Sequence, residues 1–465
     1  MGTRGVSTSH DAAASGGTTT TVSALIESLS CTDPNVDTFP VYNPASRDAT
    51  DRKQMARIKV MGQDEAAEAV RRARDALPSW RDGTTAATRA NALRRWSDLM
   101  KENVDTMATI MTLESGKPLN ESRGEVAYAA SFLEYYAGEA VRPTGAGGGF
   151  VVPTPFADAA TGGPRGHVMA LNGAVGTCAV ITPWNFPAAM ITRKVGPAFA
   201  AGCTVVAKPS ELTPLTALYM HRLAAQAGIP PGVLEMVTAD ASTASQVGRV
   251  FCTDPSVRKV SFTGSTAVGK TLMRQSSETV QRLSLELGGN AVFVVFDDAD
   301  IDQAVQAAMA AKFRNAGQTC VCADRFLIHQ NVHEEFVNKL RVRVEALVVG
   351  DGMDPSTTLG PLITPRAVVN VAEKVDEAIA EGAICVTGGR ALADEKGPNF
   401  YAPTVLTNVG TASRIWDLET FGPVVAIRSF DTDEEALEIA NASRTGLASY
   451  FCTKDLTRAF WFSKR

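Results

Sequence analysis

The stretch TVVAKPSELTPLTALYMHRLAAQAG, residues 204–228, reads as a strand running into a helix. Thr204–Ala207 is a short apolar run, and Thr213 and Pro214 fit the N-cap and the first helical position. The helix then runs to about Gly228. Outward from it the alternation repeats. Leu234–Val237 is the next strand, a helix follows near 241–251, and Arg258–Phe262 is a third strand closed by Gly264. Strands separated by helices predict an α/β fold with a parallel, doubly wound sheet. Ligands of such sheets bind beyond the carboxyl ends of the strands. That rule singles out Lys208–Glu211 and Thr263–Gly269.

Upstream, Ala66, Ala69, Val70, Ala73 and Leu77 keep a helical period, with Asp64 and Glu65 in the first turn and Pro78 as the stop. Helical patterning continues through 87–139. Residues 145–166, rich in Gly, Pro and Ala, read as a turn-bearing excursion, and strand-like runs begin near Val168. A second unit starts after Asn290. Ala291–Phe296 is its first strand, Asp300 and Gln303 mark a capped helix start, and Gly317 is the expected stop. No internal repeat is seen.

A length of 465 residues suits two or three domains. Lys and Arg total 45 against 50 Asp and Glu, a net charge of −5 that lacks the basic excess of a nucleic-acid partner. The eight Cys are scattered, which argues against a disulfide scaffold and for a reducing, cytoplasmic setting, with a mitochondrial one as the alternative. The uncharged stretch Val168–Thr192 contains Pro183, Pro187, Asn172 and Asn185, so it reads as strands and loops rather than a membrane span. Residues 1–30, rich in Gly, Ser, Thr and Ala, carry no apolar secretory core and read as a disordered tail.

Four constellations could carry chemistry. Gly-Gln-Thr-Cys-Val-Cys, 317–322, places Cys320 and Cys322 in a glycine-bearing loop, as packed small residues or as an activated thiol. No second pair of ligands follows at metal spacing, so no metal is expected. Glu-Leu-Gly-Gly-Asn, 286–290, sets a carboxylate on a backbone able to approach a ligand closely. Thr-Pro-Trp-Asn-Phe-Pro, 182–187, fixes Asn185 rigidly enough to donate to an oxyanion. Gly264-Ser-Thr-Ala-Val-Gly-Lys-Thr271 satisfies the P-loop pattern, and the apolar run ending in Asp297 and Asp298 looks like its Walker B strand. A nucleoside triphosphatase is therefore a rival reading.

Six motifs in order decide against that rival: Thr-Pro-Trp-Asn-Phe-Pro, Lys-Pro-Ser-Glu (208–211), Phe-Thr-Gly-Ser (262–265), Glu-Leu-Gly-Gly, Gly-Gln-Thr-Cys and Glu-Thr-Phe-Gly-Pro (419–423). Together they resemble the aldehyde dehydrogenase superfamily over roughly residues 40–465. The resemblance implies a Rossmann-like cofactor domain, a catalytic α/β domain and an oligomerisation hairpin. The expected division is a disordered tail at 1–38, an NAD-binding domain at 39–155 and 175–287, the hairpin at 156–174, and a catalytic domain at 288–465. By the same resemblance Cys320 is the nucleophile, Asn185 holds the oxyanion and Glu286 is the general base. The dinucleotide would lie on Thr182, Pro183, Trp184, Lys208, Pro209, Ser210, Glu211, Gly264, Ser265, Thr266, Ala267, Val268, Gly269, Leu287, Glu419 and Phe421. NAD is expected ahead of NADP, because the Glu211 carboxylate repels a 2′-phosphate.

Within the superfamily, residues 190–196 and 313–322 look most like the succinate-semialdehyde dehydrogenases, the oxidising step of 4-aminobutyrate breakdown. Arg193 and Arg314 fall where that group places its substrate arginines, and a remote carboxylate suits such a cationic fork. Close ω-carboxy aldehydes remain open, because one methylene discriminates weakly. Cys322 is a candidate redox partner for Cys320. Relatives continue beyond the helical run that ends at Arg465, so the resemblance also implies a C-terminally truncated catalytic domain. That leaves an inactive relative as the alternative, with Phe460, Trp461 and Phe462 uncovered and the family's homo-tetramer or dimer in doubt.

Overall fold

The computed structural model describes residues 21–47 and 54–465. The chain opens with helix α1 (Val22–Leu29), which buries Leu25 and Ile26, and strand β1 (Thr38–Tyr42), antiparallel to β2 (Gln54–Lys59). Order therefore begins well inside the span expected to be a disordered tail; residues 1–20 lie outside the described residues. The reason is local. Val22, Leu25, Ile26 and Leu29 keep a helical period within the Ser- and Thr-rich run, and Thr21 caps it by accepting from Ala24 N.

Helix α2 (Gln63–Arg81) runs through Pro78 rather than stopping there. Burial of Trp80, edge-on to Phe199 with ring centroids 5.8 Å apart, holds the last turn against the lost N–H. Helices α3 (Ala86–Glu102), α4 (Val104–Ser115) and α5 (Leu119–Val141) follow. A two-stranded hairpin, β3 (Gly149–Pro153) with β4 (His167–Leu171), then projects with Phe150, Val151, Met169 and Leu171 exposed. It begins before residue 156, the boundary read from sequence. Gly149 starts it because a Cβ there would meet Ala170 O at 2.2 Å.

The alternating region forms a five-stranded parallel sheet. Its strands are β5 (Thr177–Ile181), β6 (Thr204–Lys208), β7 (Leu234–Met236), β8 (Val257–Thr263) and β9 (Arg282–Glu286), in the order β7-β6-β5-β8-β9. Helices α6 (Ala189–Ala200), α7 (Pro214–Gln226), α8 (Ala244–Thr253) and α9 (Thr266–Ser276) are the connections. The expected strands and helices are all present. Thr213 precedes α7 as expected but does not cap it with its side chain. Buried Glu114 does so instead, accepting from Leu215 N and Thr216 N at 2.8 and 2.9 Å.

The second sheet has six strands: β10 (Ala291–Val295), β11 (Ala323–His329), β12 (Ile384–Thr387), β13 (Thr404–Thr407), β14 (Val424–Phe430) and β15 (Ser449–Cys452). Their order is β12-β13-β14-β11-β10-β15, parallel except for edge strand β12. Helix α10 (Ile301–Phe313) starts as expected, with Asp300 accepting from Gln303 N. It ends before Gly317, in a left-handed turn. In the final helix, Leu456–Ser463, Phe462 packs against Phe296 and Phe451. Of the three aromatics expected to lie uncovered, only Phe460 is exposed.

Candidate active site

Cys320 stands in the loop between α10 and β11. The loop after β9 crosses it so closely that a Cβ on Gly289 would meet Cys320 O at 2.1 Å. The paired glycines thus serve a close approach to the nucleophile loop's own backbone, where the sequence pointed to a sharp turn or a ligand. Gly288 and Gly289 also meet Glu419. A Cβ on Gly288 would lie 2.8 Å from Glu419 Oε2, and Gly289 N donates to Glu419 Oε1 at 3.1 Å. Gly317 is required as well, because a Cβ there would meet Gly422 O at 2.1 Å. Three motifs spread over more than a hundred residues thus share one backbone junction.

Asn185 is buried between this junction and α5. Its Nδ2 donates to Gln318 O at 3.0 Å, and its Oδ1 is buried without a partner. Its backbone carbonyl accepts from Lys117 Nζ at 2.7 Å and from Asn315 Nδ2 at 3.1 Å. Lys117 also pairs with Glu125, both fully buried. A side-chain amide held this firmly needs no reorganisation to meet a developing oxyanion.

A cavity of about 440 Å³ opens on Cys320. Arg193 from α6 and Arg314 enter it from two sides. Arg193 Nη2 donates to Tyr128 OH at 2.8 Å, its Cζ lies 4.9 Å from the Phe132 ring centroid, and its Nε is buried without a partner. Arg314 lies over Phe186, 5.1 Å from the ring centroid. Among the described residues neither guanidinium forms a salt bridge. Burial pushes the Cys320 thiol up, reinforced by Glu419 and Glu286 and opposed by its own backbone N–H and by Arg193. Burial likewise raises Glu419 to about 7, against the Gly289 N–H. Glu286 ends β9 beside a second cavity of about 350 Å³, which it shares with Lys194 and Arg193. Burial lowers Lys194 to about 8, with Glu286 opposing.

The chain belongs to the aldehyde dehydrogenase family. The family model matches residues 31–465. The mitochondrial succinate-semialdehyde dehydrogenase of Rattus norvegicus is 49% identical over 423 residues, covering 91% of this chain and 77% of that protein. The succinate-semialdehyde dehydrogenase [NADP(+)] of Escherichia coli is 46% identical over 426 residues, covering 92% of this chain and 84% of its own. Among solved structures, that of succinate-semialdehyde dehydrogenase from Burkholderia pseudomallei aligns with a TM-score of 0.86 at 46% identity, over 92% of this chain and 84% of the other. The protein is an NAD(P)-dependent aldehyde dehydrogenase. Members of the family act on small aldehydes and are typically oligomeric.

The triphosphatase reading fails on topology. The P-loop-like turn follows β8 in the five-stranded sheet, whereas the Walker B-like run is β10 in the other sheet. Asp298 there accepts from Thr453, Lys454 N and Asp455 N and pairs with Arg458.

The remaining expected residues group as follows. Trp184 and Phe421 meet edge-to-face at 5.6 Å, with Phe421 at φ 51°. Thr182 N donates to Lys208 O at 3.1 Å, joining β5 to Pro209, Ser210 and Glu211. Lys208 Nζ is buried, 3.8 Å from Glu211 and 3.2 Å from Pro209 O. Gly264 N donates to Glu286 O, and Ser265 caps α9 by accepting from Val268 N. Thr266 and Ala267 open that helix, and Leu287 packs where a Cβ on Gly269 would fall. The set fits a dinucleotide: the Thr263 hydroxyl is buried without a partner, Val268 is an uncovered apolar side chain, and the first turn of α9 offers N–H groups. Cys322 is buried, its Sγ donating to Lys312 O at 3.5 Å, and burial raises it to about 11. Sequence reasoning misses Lys117, Glu121, Glu125, Tyr128 and Lys194. No helix among the described residues is long and apolar enough to cross a membrane.

Proposed function

We propose that the protein oxidises succinate semialdehyde, or a close ω-carboxy aldehyde, to the dicarboxylic acid. The observation that carries this reading is the pair of guanidinium groups, free of salt bridges, in the cavity that contains Cys320. Two cationic forks beside a nucleophile suit a substrate with a carboxylate remote from its aldehyde. Arg193 and Arg314 hold that carboxylate and set the aldehyde carbon at Cys320 Sγ.

The Cys320 thiol gives its proton to water as its sulfur attacks the carbonyl carbon and forms a thiohemiacetal oxyanion. The Asn185 Nδ2 and the Cys320 backbone N–H accept its charge. Collapse expels hydride from the former aldehyde carbon and leaves a thioester. When bound, the nicotinamide supplies the hydride acceptor, held by Lys208, Glu211, the Gly264–Gly269 turn, Glu419 and Phe421. Glu286 takes the proton of the water that attacks the thioester, releasing acid and thiol. The exposed β3–β4 hairpin is the surface through which copies assemble, and NAD is the preferred cofactor.

The test is a pair of variants. Cys320→Ala is expected to abolish NADH production while leaving NAD binding within about threefold. Glu286→Gln is expected to keep the first-turnover burst and slow the steady rate by about 10²–10⁴-fold. Aldehyde oxidation by Cys320→Ala at the parent rate refutes the mechanism.

A further inference from the structure

We propose that Glu121 is a positioning residue that holds the nucleophile loop in its left-handed turn. After α10 the backbone takes three consecutive left-handed residues: Asn315 at φ 52°, Ala316 at φ 53° and Gly317 at φ 75°. Only glycine occupies that region freely. Two non-glycine residues there persist because their surroundings over-determine them. Three residues beyond Gly317 the chain delivers Cys320 and its backbone N–H.

The restraints can be counted. Gly317 is locked under the Gly422 carbonyl. The Asn315 side chain donates to Asn185 O at 3.1 Å and to Gln318 O at 3.3 Å. Gln318 in turn donates to Asn315 O at 3.0 Å and accepts from Ile363 N at 2.9 Å. Ala316 contributes no polar group. The side-chain carboxylate restraint comes from Glu121 on α5, whose Oε2 accepts from Asn315 N at 2.7 Å. A left-handed residue turns its N–H away from the helix behind it, so this N–H needs another acceptor, and a carboxylate is the strong choice. Burial raises the Glu121 carboxyl, opposed by the Asn315 N–H, Lys117 and Arg314 and reinforced by Glu125, so the contact with Asn315 N is an acceptor oxygen whichever form the carboxyl takes. Just before α5, Lys117 donates to Asn185 O, and Glu125 on α5 pairs with Lys117 and accepts from Ala188 N. One helix end therefore registers the thiol and the oxyanion donor against each other.

The inference rests on Cys320 being the nucleophile, which the parent's own NADH burst tests in the same experiment. Two conservative variants separate contact from charge. Glu121→Gln keeps an acceptor oxygen and loses the charge. Glu121→Asp keeps the charge and withdraws the oxygen by one methylene. The full chain is mixed rapidly with NAD and butanal, which carries no carboxylate for the arginines. Glu121→Gln is expected to keep the burst rate within threefold. Glu121→Asp is expected to lose at least tenfold, with KM for NAD unchanged within twofold. Adding Ala316→Gly to Glu121→Asp lowers the cost of the left-handed turn and is expected to recover most of that loss. A Glu121→Asp variant within twofold of the parent overturns the inference. So does a Gln variant slower than the Asp variant, which would assign the effect to charge, and so does the absence of rescue by Ala316→Gly.

Discussion

Arg193→Ala isolates carboxylate recognition cleanly, because of what Arg193 does not touch. Its one side-chain hydrogen bond goes to a neutral, half-exposed group, Tyr128 OH. Removing it strands no buried carboxylate, and the tyrosine hydroxyl can turn to water. The loss should therefore fall on substrate binding and not on the fold. A hydrogen bond between charged groups contributes about 1.5–3 kcal/mol. At about 1.4 kcal/mol per decade, kcat/KM for succinate semialdehyde should fall roughly 10- to 150-fold. Butanal, lacking the carboxylate, should change by no more than about threefold. Arg314→Ala should show the same selectivity with an added loss of thermal stability, because it removes a cation that favours the buried Glu121 carboxylate. Initial rates of NADH absorbance on both aldehydes provide the comparison. Equal losses on the two substrates would make both arginines structural and remove the basis for the semialdehyde assignment.

Cofactor preference turns on Glu211, which lies 3.8 Å from Lys208 Nζ. The parent is expected to favour NAD by kcat/KM and Glu211→Ser to shift the ratio toward NADP by about tenfold, roughly 1.4 kcal/mol; equal constants for both cofactors in the parent would refute this. Peroxide should inactivate the enzyme through a Cys320 sulfenic acid that Cys322 captures once its thiol leaves Lys312 O, so a reductant should restore the parent more fully than Cys322→Ala. Identical recovery in both would exclude Cys322. Glu114 is fully buried and raised to about 8, chiefly by desolvation. Its folded state then binds more protons than the unfolded one between about pH 4.5 and 8, so its contribution to stability falls as pH rises through that window. Glu114→Gln should flatten the decline of Tm over that range, and an unchanged slope would assign the pH dependence elsewhere.

What the sequence makes legible here is local or backbone-driven. Strand-and-helix alternation over 176–270 and the Asp300–Gln303 cap depend on spacing, and the structure carries them as read. Pro78 misleads because the burial of Trp80 overrides a local stop signal. The order of α1 is masked by a Ser- and Thr-rich composition, although its four apolar residues keep the period.

The polar framework of the site is a different case. Glu121 and Glu125 lie four residues apart on α5, and Tyr128 and Phe132 continue the same face, while Lys117 precedes the helix and Glu114 lies in α4. Buried charges are costly without partners, so this cluster is itself a pointer to a site. Its partners are what periodicity cannot supply. Lys117 reaches the Asn185 carbonyl 68 residues away, and Glu121 reaches the Asn315 N–H 194 residues away. Both acceptor and donor are backbone groups, which every residue type carries, so no side-chain pattern marks them. The Glu121–Glu125 spacing on α5 is visible in the sequence; what these residues and Lys117 hold, the segment of the oxyanion donor and the nucleophile loop, follows only from the fold.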